Sequence, residues 1–168
     1  MRVAVTGTPG TGKTTATDRL DTDLPVVHLN EVIKSEEFAT GVDEERGSLV
    51  ADMDAVAEWL DGRDDVLFES HLAHNFDADR VVVLRAHPDS IVERLRERGD
   101  SDSKAYENAE SEALDVVLSE AVSRHGTESV YEIDTTDRGP DEVAAEIERV
   151  VAGEREPSAG TVSYIDWL

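Results

Sequence analysis

The sequence predicts an α/β fold built on a parallel sheet, and three observations carry that expectation. Short runs rich in β-branched residues alternate with helical patterns. The runs are apolar throughout, as strands covered on both faces should be. A glycine-rich phosphate-loop pattern lies between the first run and the first helix. Strand–helix alternation of this kind implies right-handed crossovers. The 168 residues suit one domain, large enough to hide roughly 70% of the unfolded chain's surface.

Five strands follow in order. They are residues 2–6 (RVAVT), 25–29 (PVVHL), 66–69 (VLFE), 80–85 (RVVVLR) and 130–134 (VYEID). The helices are read from apolar stripes. Met53, Val56, Ala57 and Leu60 fall at i, i+3, i+4 and i+7. Residues 89–98 form a shorter, arginine-rich helix behind Pro88. Ala109, Ala113, Val116, Val117 and Ala121 trace one further stripe, and Val143, Ala144, Ile147, Val150 and Val151 another. Residues 99–103 (GDSDS) read as a mobile loop. Residues 1–152 are expected to form the domain, with 153–160 (GEREPSAG) a linker into the short C-terminal tail that ends at 168.

Composition narrows the function. Lys plus Arg is 16 against 39 Asp plus Glu, a net charge of −23. A phosphate backbone or an anionic bilayer would repel such a chain, so non-specific nucleic-acid and membrane binding are not expected. Lysine is scarce beside this acidic excess, the balance of a protein kept in strong salt; an ordinary acidic protein is the alternative. With no Cys there is neither a disulfide framework nor a thiolate metal site. The N-terminus does not read as a signal peptide, and no apolar run approaches the ~18 residues that span a bilayer. A cytoplasmic location is expected.

The chemistry begins at residues 7–14, GTPGTGKT, which match G-x-x-x-x-G-K-[ST]. Glycines let backbone N–H groups converge on phosphate oxygens, and the following helix adds its free N–H donors. Lys13 is expected on the β- and γ-phosphates of ATP, and the Thr14 hydroxyl on Mg²⁺. The fold class becomes a P-loop NTPase. Such a site needs a second acidic group near the metal, and Glu69 closes the third strand. It is longer than Asp, so it either ligates the metal directly or acts through water; a solvated loop carboxylate is the competing reading. His71 follows in FESHLAH, placed to position a water or polarise a phosphate. A plain surface histidine is the alternative. His71 with His74 as a metal pair lacks further ligands.

Arg94, Arg96, Arg98 and Lys104 gather four cations within eleven residues of an acidic chain. Arginines stabilise the charge that develops in phosphoryl transfer. The competing reading is a solvated helix whose arginines pair with Glu93 and Glu97. Lys34 and Arg46 are the cations of the long acidic segment 30–51, where small P-loop kinases bind their acceptor.

With these pieces in place, the chain resembles a known family. TGTPGTGKTT, HLNEVIKSEEFATGVDEERG, FESHLAH, VVVLRAHPDSIVERLRERG and KAYENAESEALDV together look like the archaeal and eukaryotic adenylate-kinase-like proteins of small-ribosomal-subunit maturation. In eukaryotes this is the nuclear type of adenylate kinase. The likeness runs over residues 2–151. It implies a five-stranded parallel sheet of order 2-3-1-4-5 flanked by helices, an acceptor-binding region about 28–51 and a short lid about 97–107. It implies that Gly10, Gly12, Lys13, Thr14 and Thr15 hold ATP phosphates and that Arg98 contacts ATP from the lid. The activity implied is broad-specificity nucleoside monophosphate kinase with ATPase activity. The partners implied are ATP, a nucleoside monophosphate and, transiently, ribosomal protein uS11 with the small-subunit precursor. The chain departs from the family at Glu69, often Asp; at Asn30-Glu31, commonly Gly-Asp; at Lys34, commonly Arg; and at Asp100, commonly aromatic. It also lacks the Pro-Arg that ordinary adenylate kinases carry after the third strand. That last absence points to weak kinase activity beside hydrolysis. A kinase of small metabolites would need a dedicated carboxylate- or sugar-binding set, which is not found.

Overall fold

The computed structural model describes residues 1–43 and 48–168. Five strands form one parallel sheet: β1 (Arg2–Gly7), β2 (Val26–His28), β5 (Val66–Glu69), β6 (Arg80–Arg85) and β7 (Val130–Asp134). Their spatial order is β2-β5-β1-β6-β7. Counted along the sheet-forming strands alone, that is the expected 2-3-1-4-5.

The strands read as apolar runs because both faces are covered. Val3, Val5, Leu67, Val82 and Leu84 point to one face, against Ala16 of α1 (Lys13–Thr17) and Val143, Ile147 and Val150 of α7 (Pro140–Val151). Ala4, Phe68, Val81 and Val83 point to the other. There they meet α2 (Leu29–Ser35), α3 (Met53–Leu60) and α6 (Val116–His125). Alternation along each strand thus supplies two cores from one sheet. A third cluster joins α4 (Pro88–Glu97) to α5 (Asp102–Ala113) through Ile91, Leu95, Ala105 and Ala109.

Three details differ from the sequence expectation. The stripe from Ala109 to Ala121 is not one helix: Asp115 turns left-handed (φ 56°) and separates α5 from α6. The stretch 99–103 is not a loop throughout. Ser101 caps α5 by accepting the Lys104 N–H at 3.2 Å, and Asp102 complements the first turn, so only a short corner remains between α4 and α5. The segment 30–51 contains an unforeseen antiparallel hairpin, β3 (Ala39–Asp43) with β4 (Ser48–Ala51). Arg46, a candidate acceptor cation, lies outside the described residues.

The residues after α7 return to the edge strand β7. Ser158 N–H donates to Val130 O at 3.0 Å, and Arg155 donates to Glu132 O at 2.7 Å. Glu132 Oε2 accepts from the Thr161 N–H at 2.7 Å and the Val162 N–H at 3.2 Å.

One buried charge organises this end of the molecule. Arg85 is fully buried at the end of β6. Its guanidinium meets Glu112 Oε1 at 3.1 Å and Glu132 Oε1 at 2.6 Å, contacts Asp115, and donates to Val162 O at 3.3 Å. Burial would lower its pKa, but Glu112, Asp115 and Glu132 override this and raise it. Glu112 also accepts from the Ala86 N–H at 2.8 Å and from Thr8 Oγ1 at 3.1 Å. A charge out of water persists only when paired and hydrogen-bonded in this way.

The remaining acidic surface has a testable consequence. Carboxylates outnumber cations by 39 to 16, so the surface carries a large excess of negative charge. The melting temperature is expected to rise from dilute buffer to molar KCl as screening relieves the repulsion. A flat melting temperature over that range contradicts adaptation to salt.

Candidate active site

The site is built where β1 ends. The chain runs from Gly7 through residues 8–12 into α1, which starts at Lys13. Gly7 is required by contact: a Cβ there would lie 2.7 Å from Leu84 O and from Thr11 Oγ1. Gly12 is required by conformation, since it takes φ 86° as the residue entering α1. Lys13 folds back across the loop, donating to Gly7 O at 2.9 Å and Thr8 O at 3.2 Å. Burial lowers its pKa to about 8 although Glu69 and Glu112 pull upward. A phosphate beside it would restore the full charge.

Parallel register brings the acidic group to the same edge. Val5 pairs with Glu69, and Glu69 with His28. Thr14 Oγ1 donates to the buried Glu69 Oε1 at 3.0 Å. The same oxygen contacts His28 Nδ1 at 2.7 Å, and His28 Nε2 meets Asp18 at 2.9 Å. Burial would lower the His28 pKa, but the hydrogen bond and charge of Glu69, with Asp18 and Glu31, raise it. Sequence reasoning missed His28, a lone histidine at a strand end; its signal is its place opposite Glu69 in the register. The hydroxyl of Thr14 and the carboxylate of Glu69 are hard oxygen donors, and their adjacency suits a small divalent cation.

His71 lies half-buried on the cleft wall. Burial, with Lys13 and His74 nearby, lowers its pKa from 6.5 to about 4, so it is neutral at pH 7. Its contribution to stability is complete above about pH 6.5 and lost as the pH falls through about 4. His74 is committed elsewhere: Nδ1 meets Thr6 Oγ1 and Nε2 meets Glu120, both at 2.7 Å. Among the described residues no cluster of three His, Asp or Glu could hold a metal.

The arginines of α4 divide by face. Arg94 donates to Gly10 O at 3.1 Å and Thr135 Oγ1 at 3.2 Å, tying the P-loop to the loop after β7. Arg98 pairs with Asp100 and lines the cleft. Arg96 points away, to Asp102 at 2.8 Å and over the Tyr106 ring. Among the described residues Arg98 and Arg96 pair with Asp100 and Asp102, not with Glu93 or Glu97. Lys104 meets Asp100 at 3.5 Å, and Lys34 is exposed on α2. The resulting cleft is about 570 Å³. It unites Gly10, Gly12, Lys13, Thr14, Thr15, Glu69, His71 and Arg98, with Asn30 also on its wall. Its remaining wall, Thr135, Arg138 and Pro140, was not foreseen. These residues follow the last strand at the carboxyl edge, where ligands bind in open parallel sheets.

Similarity to known proteins agrees with this geometry. A protein family described as an AAA domain matches residues 3–115. The chain is 64% identical, over the full length of both, to a Natronomonas pharaonis protein named "Putative adenylate kinase". The identity is 62% to the Halobacterium salinarum protein of that name, again over the full length of both. The chain belongs to this archaeal adenylate-kinase-like family. The likeness extends beyond salt-loving archaea: a relative with the same name in Methanothermobacter thermautotrophicus is 41% identical over 99% of this chain and 98% of its own. Among solved structures, shikimate kinase from Bacteroides thetaiotaomicron superposes with a TM-score of 0.52. It covers 91% of this chain and 98% of its own, at 20% identity. A Thermus thermophilus protein gives 0.53 over 92% and 97%, at 14% identity. The adenylate-kinase-like chain therefore has the α/β fold of P-loop kinases. Among its described residues no helix is long and apolar enough to cross a membrane.

Proposed function

We propose that the protein is a broad-specificity nucleoside monophosphate kinase. It transfers the γ-phosphoryl group of ATP to AMP or another nucleoside monophosphate, and it also hydrolyses ATP. The observation that carries this reading is the cleft itself: Lys13, the Thr14–Glu69 pair and Arg98 line it together with Asn30 of the acceptor segment. In the transfer, the bond from the γ-phosphorus to the β-bridging oxygen breaks, and an acceptor phosphate oxygen takes its place. Backbone N–H groups of residues 10–15 bind the phosphates. Lys13 leaves Gly7 O and Thr8 O for the β- and γ-oxygens, and Arg98 leaves Asp100 for the charge developing on the transferring group. Thr14 and Glu69 would hold Mg²⁺, which would supply charge neutralisation at the phosphates. Glu69 is kept in place by His28 and Asp18.

Hydrolysis has its own support in the neutral imidazole of His71. His71→Ala is expected to reduce phosphate release by roughly 10²-fold more than it reduces ATP binding. Equal losses in affinity and rate make the residue structural instead. In a second reading hydrolysis is the main reaction: an assembly factor hydrolyses ATP to release a ribosomal protein, and transfer is incidental. On this reading the factor acts in late rRNA processing in the cytoplasm with uS11 as its transient partner, a role supported by the resemblance to the small-subunit maturation proteins.

Product analysis in molar KCl tests both. Diphosphate formed from added AMP supports the kinase. Free phosphate that rises with a small-subunit ribosomal protein, without diphosphate, supports the assembly factor. Neither product would overturn the reading of the cleft.

A further inference from the structure

The cleft has an end that the phosphate chemistry does not use. Phosphates placed on residues 10–15, with the acceptor entering beside Asn30, leave the donor's nucleoside to the opposite wall. That wall is the loop from Thr135 to the start of α7, with Arg138 and Pro140. The loop is short, and its Asp137 adopts φ 58° without being glycine. Such a conformation persists only where surrounding contacts enforce it.

Arg94 and Arg85 O hold Thr135 within the core, and the C-terminal segment holds the residues on either side of it. The Tyr164 hydroxyl donates to Asp134 Oδ2 and lies 3.3 Å from Thr136 Oγ1. Asp134 Oδ1 in turn accepts the Thr136 N–H at 3.0 Å, and Thr136 Oγ1 accepts the His87 N–H at 2.8 Å. The Tyr164 ring stands edge-on to His87, centroids 5.2 Å apart. Tyr164 is itself pinned from both sides. Upstream, Thr161 and Val162 donate to Glu132. Downstream, Trp167 Nε1 donates to Asp89 at 2.8 Å while its ring packs against the α4–α5 cluster. The phenol remains protonated and able to donate, its pKa pushed up to about 12 by burial and by Asp134.

We propose that Tyr164 is a positioning residue for the phosphoryl donor: residues 158–168 form a strap, and its tyrosine holds the 135–139 loop in the shape that meets the donor's nucleoside. The proposal rests on the reading of the cleft as a nucleotide site. Tyr164 then governs affinity for the nucleoside portion and leaves the phosphate portion alone. Affinity for ATP depends on the strap, whereas affinity for a bare polyphosphate does not.

The test uses the full chain with Tyr164→Phe, which keeps the ring against His87 and removes only the hydroxyl. ATP and inorganic tripolyphosphate are titrated separately. The Kd for ATP is expected to rise about 10-fold, because the loop is no longer held in the shape that meets the nucleoside. The Kd for tripolyphosphate and the acceptor KM stay near their wild-type values, while the melting temperature falls by a few degrees, the cost of the bond lost within the folded protein. Asp134→Asn, which weakens the same contact from the other side, gives the same pattern. Unchanged ATP affinity in Tyr164→Phe overturns the proposal, and so does an equal loss for ATP and tripolyphosphate. A wild-type protein that binds neither ligand is a different failure: it removes the nucleotide site itself, and the strap's role with it.

Discussion

Lys13→Ala is expected to lower phosphoryl transfer by about 10³-fold or more, the largest effect of any single change in the cleft. Lys13 is the half-buried cation held at 2.9 Å from Gly7 O, at the mouth of the loop. Its partners there are neutral carbonyls, so moving to the phosphates exchanges weak acceptors for charged ones. The alanine variant also frees two loop carbonyls, and circular dichroism and melting must show that it folds. Single-turnover rates with saturating ATP then report the chemical step. A folded variant with near-normal turnover would remove the P-loop from the mechanism.

Arg98→Ala should lower kcat by about 10²–10³-fold while ATP affinity changes less, because the arginine's strongest interaction forms only as charge develops. The structure sharpens the comparison with Arg96. Both arginines hold an aspartate next to the corner between α4 and α5, so both lose one exposed ion pair on substitution. An exposed pair contributes only about 0–1 kcal/mol to stability. Only Arg98 lines the cleft. Arg96→Ala is therefore the matched control and is expected to cost little. Equal falls for the two variants, or hardly any for Arg98, would take the arginine out of the reaction. Asp100 is the group that Arg98 leaves on this reading.

The central strands were legible because parallel strands covered on both faces need unbroken apolar runs, and RVVVLR or RVAVT admits few other readings. The hairpin of β3 and β4 was not, because ATGVD and SLVA are short and bracket an acidic stretch that reads as loop. The division at Asp115 was hidden because the apolar stripe continues in phase across it. In the site, the phosphate loop and Glu69 were read from local pattern. His28 was not, and Arg94 was read only as one of four gathered cations, not as a tie, since each takes its place from a partner distant in the chain: Glu69 for the histidine, Gly10 and Thr135 for the arginine. Arg85 was missed for a related reason. A charged residue closing a strand suggests solvent, and only the fold gathers the carboxylates that let it be buried.

The surroundings of Arg85 also set an order of events during synthesis. Every group that satisfies its guanidinium lies later in the chain, at positions 112, 115, 132 and 162. Ribosomes deliver residues from the N-terminus, so β1, β5 and β6 can emerge and begin to pair while Arg85 still lacks every partner. The phosphate loop shares that delay, since Thr8 gives its hydroxyl to the same Glu112. A nascent chain stopped before residue 112 would carry the full nucleotide-loop motif with an uncompensated cation behind it, and would keep that cation in water rather than close the core. The first feature visible in the sequence is thus among the last to be completed in the folding chain.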